Sequence, residues 1–148
     1  MSSSRSVNTG SPVFDFAEFY VLASWLYNTQ TEPHRETIKR TIIGRAYYAA
    51  LICARDFTGA ATTGSQGHKA VVDALKRRNS LAGNNLDALR QLRHKADYEA
   101  AAIIADRDVG IALRNSLIVL NEVGKTFAGG KPYTADFLDP SKFMARSQ

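Results

Sequence analysis

The sequence predicts an all-α fold, an antiparallel bundle of four to five helices. Two observations carry this. Apolar residues recur at three- and four-residue intervals through most of the chain, with no strand alternation of useful length. The breaks between these segments are short and marked by Gly, Pro and Asn, as expected for neighbouring helices packed on one another. A chain of 148 residues is long enough for one core. Its 45% hydrophobic and 22% charged composition is that of a soluble globular domain.

The first helix is expected from about Phe14 to Asn28, with Phe16, Phe19, Tyr20, Ala23, Leu26 and Tyr27 on its apolar side. The polar stretch 29–32 ends it, and Pro33 suits the first turn of a second helix. That helix should reach Phe57, with Ile38, Ile42, Ala46, Ala49 and Cys53 at helical spacing. The small residues Ala46, Ala49, Ala50 and Cys53 allow another helix to approach closely. Gly59, Gly64 and Gly67 make the following segment a loop.

A third helix from His68 to Arg78 would bury Val71, Val72 and Leu75. Gly83, within 79–85, reads as a break. A fourth helix from Leu86 to Tyr98 carries Leu86, Leu89, Leu92 and Ala96 on one stripe. A fifth begins at Asp106, a good N-cap type, and runs to about Phe127 with Val109, Leu113, Leu117 and Leu120 inward. The domain is thus 14–128. Residues 1–13 form a Ser-rich flexible leader, and 129–148 an irregular tail whose Tyr133, Phe137, Leu138, Phe143 and Met144 suit docking on the bundle or on a partner.

No apolar run approaches the roughly 20 residues that span a bilayer, and the N-terminal stretch lacks a signal-peptide core. A cytoplasmic protein with no membrane association is expected. The lone Cys53 excludes an internal disulfide. His34, His68 and His94 have no Cys or carboxylate partners at metal-ligand spacing, so neither metal nor cofactor is expected.

Of the net charge of +5, most lies between His68 and Tyr98. There Lys69, Lys76, Arg77, Arg78, Arg90, Arg93 and Lys95 face only Asp73, Asp87 and Asp97. Such an excess suits phosphate backbones or an acidic partner, or is simply a solvated helix face.

Several polar residues break the amphipathic pattern. Arg45 falls on the same face as Ile38, Ile42 and Ala49, where a guanidinium needs acceptors, and Tyr48 lies on the neighbouring flank. Arg93 sits at the edge of the Leu89/Ala96 stripe, and Asp97, one turn on, can pair with it or reach across to Arg45. Two readings stand: a clamp that fixes helix register, or a site in which Arg93 binds phosphate and a neighbour handles a proton. His68 is either part of the turn that opens the third helix or an exposed site histidine. His94 is expected to face solvent.

Three segments carry a family resemblance. Gly44-Arg45-Ala46-Tyr47-Tyr48-Ala49-Ala50 resembles the R-A-Y-Y-A segment of small prokaryotic HEPN proteins, of the R-x-x-A-D-Y branch. Gly67-His68-Lys69 with Val71 resembles their H-K-x-V segment. Leu92-Arg93-His94-Lys95-Ala96-Asp97-Tyr98 resembles L-R-x-x-A-D-Y. The three occur in the family's order, and the likeness covers roughly Phe16 to Phe127.

The resemblance implies a HEPN-like bundle acting as a homodimer. It further implies an RNA-directed protein: a metal-independent ribonuclease, or a toxin or defence effector encoded with a nucleotidyltransferase-type antitoxin. The catalytic set it implies is Arg93, Asp97 and Tyr98. The binding set is Arg45, Tyr48, His68, Lys69, Arg90 and His94. In active members a His follows the Arg within the helix and serves as proton carrier. The corresponding positions here are Tyr98, Glu99 and Ala100. That departure keeps open a non-catalytic module binding RNA, a nucleotide or a nucleotidyltransferase-type partner.

Overall fold

The computed structural model describes residues 13–30, 35–61, 64 and 66–125. The leader (apart from Val13), His34, Phe127 and the tail lie outside these residues. Among the described residues there are helices and no strands: α1 (Glu18–Thr29), α2 (Glu36–Thr58), α3 (Gly67–Arg78), α4 (Ser80–Tyr98) and α5 (Asp106–Glu122). The all-helical bundle expected from the periodicity is therefore present.

Helix α2 is the axis of the bundle and touches each of the other four. Its sequence explains why. Ile42, Ile43, Ala46, Tyr47, Ala49, Ala50, Leu51, Cys53 and Ala54 are all buried, so it is apolar nearly all round over its middle turns. The small residues admit α5, whose buried Ser116 hydroxyl donates to the Ala46 carbonyl at 2.8 Å. Val71, Val72 and Leu75 of α3, Leu86, Leu89 and Ala96 of α4, and Val109, Leu113 and Leu120 of α5 are buried as their spacing predicts. Leu92 and Leu117 pack against this core half-buried.

Helix directions depart from a fully antiparallel arrangement. Helices α2 and α4 are antiparallel: Arg40 meets the Ala96 carbonyl and Tyr48 meets Arg93. Helices α4 and α5 are antiparallel as well, through Lys95 with Asp108 and Asn79 with Glu122. But α2 and α3 run parallel, since Tyr47 meets His68 and Phe57 meets Arg78. Helices α2 and α5 also run parallel, by Lys39 with Asp106 and Ala46 with Ser116. The connection 59–66 is long enough to allow this. It need only regain about 15 Å, the rise of the helix from Tyr47 to Phe57, and an extended chain covers roughly 3.3 Å per residue.

Gly83 does not break the chain. Helix α4 starts at Ser80, capped by Asn79, whose side-chain oxygen accepts from the Ala82 N–H at 3.0 Å. Gly83 lies buried inside this first part of α4 because α3 passes too close for a side chain. A Cβ there would fall 2.5 Å from Lys76 Cα and 2.6 Å from Lys76 N. The misreading has a physical source, because glycine serves turns and close helix contacts alike.

Other boundaries also shift. Phe14 and Phe16 precede α1, their rings clustering with Phe19 at 4.9 to 5.6 Å. The first described residue of α2 in helical conformation is Glu36. Asp106 is the first residue of α5 rather than its cap, and the Asp108 carboxylate accepts from the Ala105 N–H at 3.0 Å. Helix α5 ends at Glu122, before Phe127. Gly124 adopts φ 83°, and the Lys125 N–H turns back to the Leu120 carbonyl, the C-terminal stop that glycine permits.

The end of α4 is held by α2. Arg40 donates to the carbonyls of Ala96 at 2.9 Å and Ala102 at 2.8 Å, and its Nε pairs with Glu36. Lys39 reaches the Ile104 carbonyl at 2.9 Å. These contacts fix the turn on which Arg93, Asp97 and Tyr98 stand.

Candidate functional site

Helices α3 and α4 border an open groove of about 870 Å³. Helix α3 contributes His68 and Lys69, and α4 contributes Arg90, Arg93, His94 and Lys95; Glu99 is the acidic residue of the lining. These positions converge because α3 runs parallel to α2, which brings its first turn level with Tyr47.

Arg93 is the most buried cation lining the groove. Its side chain is only 14% exposed. Nη2 donates to the Tyr48 hydroxyl at 2.7 Å and, more weakly, to that of Tyr98 at 3.4 Å. The guanidinium lies 5.2 to 5.5 Å from the rings of Tyr47, Tyr48 and Tyr98, within cation–π range. Nε is 2.8 Å from Asp97 Oδ2, but its N–H is not aimed at that oxygen; the contact is an ion pair without a directed hydrogen bond. Burial alone would make Arg93 less basic. The Tyr48 hydroxyl, Asp97 and Tyr98 more than offset it, so the group stays cationic.

The remaining cations also have carboxylate partners. Lys69 pairs with Asp73 at 2.8 Å, Arg90 with Asp87 at 3.1 Å, and Lys95 with Asp108 at 3.6 Å. None of Asp73, Asp87, Asp97 and Asp108 lines the groove. The lining therefore holds four cationic side chains against the one carboxylate of Glu99. Half-exposed pairs of this kind are weak, so an incoming phosphate can compete for the cations.

His68 is joined to the core. Its Nδ1 lies 3.0 Å from the Tyr47 hydroxyl, and its ring stands 6.0 Å from that of Tyr48. Burial, then the charges of Arg93 and Arg90, hold its imidazole below the usual range, which keeps it neutral at pH 7. Tyr47 is fully buried, and burial pushes its phenol far above the ordinary value, so it keeps its proton.

The site residues read from the sequence thus divide. His68, Lys69, Arg90, Arg93 and His94 meet in one groove. Arg45, Tyr48 and Asp97 line a second, smaller cleft of about 350 Å³ with Thr37, Arg40 and Gly44. The Tyr48–Arg93 and Asp97–Arg93 contacts connect the two. Arg45 meets its need for a partner by lying over the Phe19 ring at 4.6 Å, and among the described residues no carboxylate pairs with it. Tyr98 is 63% exposed, and its ring lies 5.1 Å from that of solvent-facing His94. Neither Tyr98 nor Asp97 lines the groove.

The catalytic and binding sets read from the sequence omit Tyr47 and Lys95. Tyr47 shares the inward face with Ile43, Ala50 and Ala54, so spacing marks it as core. Only the structure shows its hydroxyl reaching His68. Cys53 offers no nucleophile, since it is buried and burial pushes its thiol up to about 12. Among the described residues no His, Cys, Asp or Glu cluster could hold a metal ion, and no helix is long and apolar enough to cross a membrane.

The chain matches no family model, no curated protein and no solved structure.

Proposed function

We propose that this chain is an RNA-directed protein of the HEPN type, and that the α3–α4 groove takes the phosphodiester backbone. One observation carries the reading: Lys69, Arg90, Arg93 and Lys95 line the groove, whereas the carboxylates paired with them do not, and Glu99 is the acidic residue beside them. The ordered likeness of the three sequence segments supplies the family and, with it, a homodimer that handles RNA inside the cell. Arg93 is the group on which phosphate charge would rest, because it is the cation most firmly oriented before any ligand arrives.

The test is binding of a labelled RNA oligonucleotide to the purified chain, without metal, across a salt series. Four phosphate contacts give a slope of about −3 in log affinity against log salt for a single strand. Between 50 and 200 mM salt that amounts to a loss of roughly 60-fold. Arg93→Ala should weaken binding and flatten the slope by about one contact. Salt-independent binding, or no binding, overturns the proposal. Incubation of the same RNA for cleavage decides between a ribonuclease and a binding module.

A further inference from the structure

Tyr47 and His68 form a pair that bears on whether the groove can cleave what it binds. We propose that Tyr47 is a positioning residue that locks His68 in the Nε2–H form, making His68 a hydrogen-bond donor to a phosphate oxygen rather than a proton acceptor. The inference rests on the RNA reading above for the ligand, and on this structure alone for the lock.

The argument begins with the Tyr47 hydroxyl. Tyr47 is 0% exposed, and the His68 ring nitrogen at 3.0 Å is the hydrogen-bond partner of its hydroxyl among the described residues. A buried hydroxyl proton must be given to an acceptor or remain unsatisfied, and the second option costs free energy. Nδ1 is the acceptor within reach. If Tyr47 donates to it, Nδ1 must be bare, and in a neutral imidazole the proton then resides on Nε2. The opposite arrangement, Nδ1–H donating to the phenol oxygen, strands the Tyr47 proton in the core.

The surroundings favour the neutral ring. From α2, Tyr47 and Tyr48 face it. From α4 come Arg90 and Arg93, both cationic. On its own helix Lys69 follows it. Among the described residues no carboxylate pairs with it to stabilise an imidazolium. Nε2, the nitrogen left over, belongs to a side chain that lines the groove. It therefore presents a proton to whatever anion lies there, next to Arg93. Such a ring cannot take a proton from a ribose hydroxyl at Nε2, because that position is already filled. Arg93 and His68 then act together as donors, and the groove binds RNA without cleaving it.

Two measurements on the full chain test this. The ring-nitrogen ¹⁵N shifts of His68 in the wild-type protein report the tautomer directly; a protonated Nε2 with a bare Nδ1 is expected. RNA binding is then compared for His68→Gln, which keeps an N–H donor, and His68→Ala, which does not. The Gln variant should bind within about threefold of wild type and the Ala variant about tenfold more weakly, the loss of one donor to a charged oxygen. None of the three should cleave the RNA.

A protonated Nδ1 overturns the lock. Equal losses in the Gln and Ala variants overturn the donor role, and wild-type cleavage that His68→Gln abolishes shows a proton carrier instead. If the wild type binds no RNA while Nε2 is protonated, the RNA proposal falls and the Tyr47–His68 lock stands.

Discussion

Replacing Gly83 by Ala should destabilise this protein, although the same change in a helix normally stabilises it. Gly83 lies inside α4, and an alanine gains about 1 kcal/mol there in helix propensity. Against this, its Cβ would stand 2.4 Å from Lys76 Cγ, 2.5 Å from Lys76 Cα and 2.6 Å from Lys76 N. Carbon atoms rest at about 3.5 to 4.0 Å, so a gap of roughly 1 Å must open. The Lys76 side chain can swing away. Its backbone cannot, without moving α3 off α4 and loosening Val72, Leu75 and Leu86. Overpacking of this kind costs about 1 to 3 kcal/mol, and the backbone contact places Gly83 toward the upper end. The net expectation is a loss of about 1 to 2 kcal/mol, or several degrees of melting temperature.

Gly110 supplies the internal control. It lies in α5, and a Cβ there meets nothing within 4 Å. Gly110→Ala should therefore raise stability by about 0.5 to 1 kcal/mol. Thermal and urea denaturation of both variants measures the two signs side by side. A Gly83→Ala protein as stable as wild type would refute the close approach of α3 to α4, and with it the geometry of the groove. A loss in both variants would show that the cost is general to this bundle and not due to Lys76.

The lowered His68 basicity gives a pH signature. As pH falls below 6.5 the unfolded chain takes up this proton before the folded one does, so the stability of the fold should drop across that window and level off once the folded imidazole is also charged. Urea titrations at pH 7.5 and 5.5 should show a smaller drop for His68→Gln than for wild type; equal drops would place the effect elsewhere. Asp97→Asn removes a half-exposed carboxylate, 34% accessible, from beside Arg93. It should cost less than about 1 kcal/mol of stability and tighten RNA binding, since phosphate no longer competes with Asp97; weaker binding would contradict the role given to Arg93.

Much of the fold could be read from periodicity because the helices bury one stripe each. Val71, Val72 and Leu75, or Val109, Leu113 and Leu120, repeat at helical spacing and are buried accordingly. Helix direction is different in kind. Nothing in the spacing of α2 or α3 states whether they run together or opposed, and a connection as long as 59–66 allows either. The site was legible to the same degree. Arg93 with Asp97 on one helix face is a local relation, and it is present. The reach of Asp97 towards Arg45, the alternative to its pairing with Arg93, and the link of Tyr47 to His68 are relations across helices. Of these, packing realised the second and gave Arg45 an aromatic neighbour in place of the first.

Helix direction also sorts the basic residues. The cations from Lys69 to Lys95 look like one cluster along the chain, but they do not form one patch. Because α3 runs parallel to α2, its first turn carries His68 and Lys69 to the Tyr47 and Arg93 level. Its last turn carries Arg78 to the far end of α2, where it donates to the Phe57 carbonyl at 3.1 Å and lies 4.4 Å over the Phe57 ring. Lys76 is meanwhile engaged by Asp87. An antiparallel α3 would have exchanged these ends, putting the paired basic residues beside Arg93 and leaving His68 near Phe57. The distinction is measurable. If all the cations of this stretch met one RNA strand, the salt slope would approach about −5; with only the groove residues engaged it stays near −3. Arg78→Ala would flatten the slope in the first case and leave it unchanged in the second. The slope thus reads out, in solution, which end of α3 faces the ligand.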